Sequence, residues 1–100
     1  MTIRFWTANP QGLLDKFKEL IEQEEPKGRI NTWEQHDGGF RHTAKDWKEL
    51  GLFKSAIAED KKSLIFNMTV NKGEYTYAYY HGHLLQTFIE HLGAHFQQAT

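Results

Sequence analysis

The side chains best able to do chemistry in this chain are its six histidines and the titratable groups of the stretch Asn31 to Trp47. Within that stretch His36, Asp37, Arg41, His42 and Asp46 bring imidazole, carboxylate and guanidinium groups together, a set suited to moving protons or holding an anion. His42 as base with Asp46 as its orienter is the candidate catalytic pair. No nucleophile stands beside them at a recognisable spacing. Thr43 is explained as a helix cap and Asp37 as a turn former. The run Asp37-Gly38-Gly39 lacks the glycine spacing and the strand-to-helix context of a phosphate loop.

The other histidines raise the question of a metal. His91 and His95 are four apart on an apolar-periodic segment, which places both imidazoles on one side of a helix. His81 and His83 lie two apart just before it, and His36 and His42 flank the Asp-Gly-Gly turn. Zinc takes three or four protein ligands with an ordered second shell, and no Glu stands between His91 and His95 as it does in the zinc-protease helix motif. On the helical wheel His95 borders the apolar stripe and His91 lies farther out, so border positions explain the pair more simply. His81, His83, His91 and His95 are the metal candidates, and no metal or cofactor is expected.

These groups depend on the elements that carry them. Thr2 to Ala8 alternates with the period of a half-buried strand. Asn9 and Pro10 supply an N-cap and a first-turn proline, and Leu13, Leu14, Phe17, Leu20 and Ile21 form one face of the helix that follows. Pro26 and Gly28 end it. Ile30 to His36 and Phe40 to His42 read as two strands of a hairpin whose turn needs positive φ. Thr43 with Asp46 resembles a capping box opening a short helical turn through Trp47 and Leu50, with Trp47 tucked inward, and Gly51 stops it.

Leu52 to Ala58 and Ser63 to Val70 read as further strands, the latter central in the sheet. Glu74 to Tyr80 reads as one more strand, with Tyr75, Tyr77 and Tyr79 on one face. A last helix is expected from Gly82 or His83 to Gln97. Short connections imply antiparallel neighbours, and two one-sided helices cover one face of a sheet. The expected fold is α+β: a two-layer sandwich of a mostly antiparallel sheet of about five or six strands with two helices, one after the first strand and one C-terminal, on one face. A chain of 100 residues suits one domain, 1–100.

That arrangement leaves the other face of the sheet without a layer. Trp6, Trp33 and the row Tyr75, Tyr77 and Tyr79 are expected there, with His36, Arg41 and His42 at its border, as a binding surface; large apolar patches on a protein surface usually mark a partner. Composition narrows the partner. With 12 Lys and Arg against 13 Asp and Glu the formal charge is −1, and the interspersed signs give no clustered basic face for nucleic acid. No apolar run approaches the length that spans a bilayer, and no leader pattern opens the chain. The absence of cysteine removes thiol chemistry and suits a reducing cytoplasm.

The segments Phe5-Trp6-Thr7-Ala8-Asn9-Pro10, Phe40-Arg41-His42-Thr43 followed by Trp47, and Tyr79-Tyr80-His81-Gly82-His83 resemble segments of small bacterial single-domain α+β proteins that carry no known activity. The resemblance implies a stand-alone bacterial α+β protein and leaves every functional assignment open. The expectation is a non-enzymatic module that pairs with itself or another protein through an aromatic sheet face, with no nucleic acid and no membrane. The alternative is a small-ligand or metal-binding protein, an enzyme included, in which His42 and at least two of His36, His81 and His83 converge in one cleft.

Overall fold

A computed structural model describes residues 1–100. The elements are β1 (Thr2–Trp6), α1 (Pro10–Glu22), β2 (Trp33–His36), β3 (Gly39–His42), β4 (Gly51–Ile57), β5 (Ser63–Asn71), α2 (Thr76–Leu92), a 3-10 turn at Gly93–His95, and β6 (Gln98–Ala99). The strands form one antiparallel sheet in the order β2-β3-β4-β5-β1-β6, and the two helices cover one of its faces. Both edges are short, four residues in β2 and two in β6, which limits edge-to-edge pairing.

Local chemistry fixes the corners. Asn9 Oδ1 accepts the Gly12 N–H at 2.9 Å, capping α1 with Pro10 in its first turn. Asp37 and Gly38 have φ of 50° and 79°, the positive pair of a tight β2–β3 hairpin. Gly39 follows inside the sheet, where a methyl group would collide with the Phe53 carbonyl oxygen. Gly39→Ala is therefore expected to cost about 1–3 kcal/mol, as overpacking does. Gly82 is the opposite case, an exposed mid-helix position with nothing near an added Cβ. Gly82→Ala is expected to add roughly 0.5–1 kcal/mol. Urea midpoints measured for both variants check the opposed signs.

The core is aromatic and contiguous. Phe66 on β5 stands at its centre, with ring centroids 6.0 Å from Phe5, 5.9 Å from Phe17, 5.8 Å from Phe40 and 5.5 Å from Phe88. Strands and both helices thus share one packing unit.

Three expected elements differ. The segment Glu74 to Tyr80 is not a strand: α2 begins at Thr76, because Thr76, Tyr80, Leu84 and Phe88 are buried at four-residue spacing. The alternation of tyrosines with smaller residues matches a strand period over a few positions, and packing against the sheet decides for the helix. The last helix stops at Leu92 rather than Gln97. The chain turns through Gly93–His95, sets Phe96 against Phe5 at 5.2 Å, and lays β6 beside β1.

The capping box is the third. Thr43 Oγ1 donates to the Asn31 carbonyl at 2.9 Å, and the N–H at the start of the turn, that of Ala44, is taken by His42 Nδ1 at 3.0 Å. Trp47 packs inward against the core as expected.

Candidate functional site

The residues that the sequence singled out are spread over several places, of which the largest gathers around His42. β3 ends at His42 and turns its ring inward, with only 4 % of the residue exposed. Around it stand Trp33 of β2 at 5.3 Å and Tyr79 and His83 of α2 at 5.0 and 4.9 Å between ring centroids, all near edge-to-face. Tyr79 continues outward as a stack, lying 4.0 Å under Trp47 with ring planes 6° apart and 4.1 Å from His83.

Tyr80 ties the same corner from below. Fully buried, its hydroxyl accepts the His42 N–H at 3.2 Å and faces the carbonyls of Trp47 at 2.9 Å and Gly51 at 3.1 Å as their donor. Burial raises its phenol above the usual range. Gly51 has no room for more than hydrogen, since a Cβ would come within 2.7 Å of the Tyr80 ring. Beside it the Trp33 indole N–H donates to Thr87 Oγ1 at 3.0 Å, and the Thr87 hydroxyl donates to the His83 carbonyl at 2.8 Å. Tyr80 and Thr87 lay outside the sequence candidates; their spacing with Thr76, Leu84 and Phe88 is the signal that marks them as inward-facing.

The state of the His42 ring follows from its partners. Ala44 offers an N–H, so Nδ1 is the bare nitrogen and the ring proton sits on Nε2, which is buried without a hydrogen-bond partner. Burial, and then the neighbouring His83, lower its pKa from 6.5 to about 4. A general base must reach a proton on its substrate. His42 has one nitrogen engaged and the other enclosed, and no hydrogen bond joins it to Asp46, which is exposed. The candidate pair His42 and Asp46 is not assembled.

Sharing His83 and Thr87 with this cluster, a cleft of about 280 Å³ runs between the α1–β2 connection and α2, lined also by Asn31, Thr32, Gln86, Glu90 and His91. Every lining residue is polar, and Gln86 donates to Glu90 at 3.0 Å. The second place holds His36, Asp37 and Arg41, which border a groove with Lys48, Glu49, Leu52 and Val70. Arg41 is committed there, its Nε donating to Glu34 at 2.6 Å and its Nη1 to Glu49 at 3.3 Å, and the Glu34 bond raises its pKa further. In the third, His81 packs on Tyr77 at 5.4 Å.

Of the histidines expected to join His42, the fold brings only His83 to it. His91 lines the cleft, while His95 is exposed and its carbonyl accepts the Thr7 hydroxyl at 2.8 Å. No three His, Asp or Glu side chains gather in a group that could hold a metal ion.

The aromatic sheet face does not form. Trp33 is 1 % exposed and points to the helices, and Tyr75, Tyr77 and Tyr79 belong to α2 or its cap. Trp6 alone is on the open face, with the Arg4 guanidinium 5.2 Å above its ring and its N–H donating to Thr100 Oγ1 at 3.1 Å. Around it that face carries Thr2 bonded to Asn67, Lys54, and the Glu34–Arg41–Glu49 ion pairs. Alternation along β2 put Trp33 on the face opposite to the one expected, because its indole fits beneath α2.

Two of the three large hydrophobic residues left exposed, Tyr75 and Ile89, lie instead on the outer side of α2, the third being Met1. This 17-residue helix carries one carboxylate, Glu90, and no lysine or arginine. Tyr75 and Ile89 are 68 % and 59 % exposed, and between them Ala78 and Gly82 are exposed as well. At about 100° per residue these four positions fall within roughly 60° of one another. No helix of the structure is long and apolar enough to cross a membrane. No family model, no curated protein and no solved structure matches the chain.

Proposed function

We propose that this protein is a non-enzymatic interaction module of the cytoplasm that pairs with a second copy of itself through the outer side of α2. The observation that carries the reading is the near-absence of charge on a surface helix whose outward stripe is Tyr75, Ala78, Gly82 and Ile89. A solvated helix face ordinarily carries charged and polar residues, and an exposed apolar stripe marks a contact.

The stripe is self-complementary in its spacing. Tyr75 and Ile89 lie seven residues on either side of Gly82. In an antiparallel pair of α2 helices crossing at Gly82, each Ile89 meets the partner's Tyr75, and Ala78 and Gly82 let the backbones approach. Such pairing buries the two large side chains twice.

The polar cleft supports the small-ligand reading less well. Sites for organic ligands are mostly apolar with a few polar groups, and this cleft has no apolar lining residue. Sedimentation over a wide concentration range tests the proposal. Burial of an isoleucine is worth about 1.5–3 kcal/mol, so Ile89→Glu is expected to weaken self-association at least tenfold. A wild-type chain that stays monomeric at every concentration contradicts the reading.

A further inference from the structure

The segment Ala44 to Glu49 crosses from β3 to β4 as a strap over the first half of α2. Its own backbone forms two turn bonds, from the N–H groups of Trp47 and Lys48 to the Ala44 carbonyl, each 2.9 Å. What fastens it to the body is limited. His42 Nδ1 takes the Ala44 N–H, the Tyr80 hydroxyl meets the Trp47 carbonyl, the Trp47 ring lies on Tyr79, and the exposed Glu49 pairs with Arg41. The anchors on either side are independent of these, Thr43 N–H to the Thr32 carbonyl at 3.0 Å and Lys72 N–H to the Leu50 carbonyl at 2.7 Å.

We propose that His42 is a proton-sensitive pin: its neutral ring holds the strap Ala44 to Glu49 closed over α2, and a proton on the ring releases the strap and uncovers Tyr79. A protonated imidazole donates from both nitrogens and accepts at neither. Nδ1–H and the Ala44 N–H then point at each other, and the first fastening becomes a repulsion.

Nothing around the ring compensates the new charge. From α2 it faces the imidazole of His83 and the phenols of Tyr79 and Tyr80, from β2 the indole of Trp33, and along β3 the Arg41 side chain leaves toward the opposite face. No carboxylate is among these neighbours. A buried unpaired cation must find water or lose its proton. The strap is the one neighbour of the ring that belongs to neither the sheet nor a helix, so it yields at the least cost. The inference is independent of α2 pairing.

The test is a pH titration by two-dimensional NMR of backbone amides and the Trp47 indole, from pH 8 to pH 3.5, on the wild type, His42→Asn and His83→Gln. In the wild type the signals of Ala44 to Glu49 and Trp47 are expected to move together with a midpoint between about pH 4 and pH 6.5, while β4 and β5 amides keep their positions. Asn keeps an acceptor oxygen where Nδ1 stood and takes no proton, so His42→Asn is expected to hold the strap closed through that range. His83→Gln removes the second imidazole and is expected to raise the midpoint. Loss of strap and sheet signals in one transition overturns the proposal, and so does a His42→Asn strap that opens with the wild-type midpoint. If His42→Asn does not fold, His83→Gln decides: a raised midpoint supports the pin and an unmoved one overturns it.

Discussion

Tyr80→Phe is expected to lower the unfolding free energy by about 2–4 kcal/mol, although it removes a single oxygen. That oxygen meets three backbone groups at once, the N–H of His42 and the carbonyls of Trp47 and Gly51. A buried donor left without a partner costs about 1–3 kcal/mol, and the two carbonyls lose their shared donor as well. The ring itself remains packed between Trp33 at 5.4 Å and Phe53 at 5.9 Å, so no cavity adds to the loss. Urea denaturation with an unchanged slope and a lowered midpoint is the expected record. A cost below about 1 kcal/mol would show that water reaches these groups and that Tyr80 is not their junction.

The second large effect is a loss of stability in mild acid that depends on His42. Its folded pKa is depressed, to about 4 from 6.5, so between those values the unfolded chain binds the proton and the folded chain does not. Stability from this group is complete above about pH 6.5, falls as the pH drops, and is gone near pH 4. At about 1.4 kcal/mol for each pH unit, the difference between wild type and His42→Asn is expected to change by at most about 3 kcal/mol across that window. Opening of the strap caps the global loss at whatever the closed strap contributes. Comparison with His42→Asn at each pH removes the contribution of carboxylates common to both chains. Parallel curves for the two proteins contradict the assignment.

Much of the architecture was legible in the residues. Asn9 and Pro10 announce the start of α1, Asp37-Gly38-Gly39 announces its hairpin, and the apolar face of Ser63 to Val70 places β5 at the sheet's centre, between β4 and β1. The tyrosine segment was not legible, because Tyr75 to Tyr80 satisfies a two-residue and a four-residue period equally over so short a span. Only the register of Thr76 and Tyr80 with Leu84 and Phe88, all buried on α2, separates them. That one reassignment moved the tyrosines from the sheet to a helix and, with Trp33 turned inward, relocated the apolar surface.

The candidate site divides along a similar line. Trp33 and His42 meet as cross-strand partners of the β2–β3 hairpin, on the face opposite to Arg41, and His83 joins them only through the long-range packing of α2. Proximity in sequence suggested that Asp46 serves His42. The Ala44 N–H, a backbone group with no signature in the sequence, takes that place instead.

A single cysteine placed at the centre of the proposed interface gives the most direct measurement. The natural chain has none, and Gly82 is exposed with nothing within 4 Å of an added Cβ, so Gly82→Cys introduces one thiol without disturbing packing inside the protomer. In a two-fold pair of α2 helices crossing at that residue, the two thiols face each other within disulfide reach, Cα atoms about 4.4–6.8 Å apart. Mild oxidation is expected to convert Gly82→Cys rapidly and nearly completely to a covalent dimer, while Gln11→Cys on exposed α1 stays largely monomeric. Equal, slow cross-linking of the two variants would contradict pairing through α2.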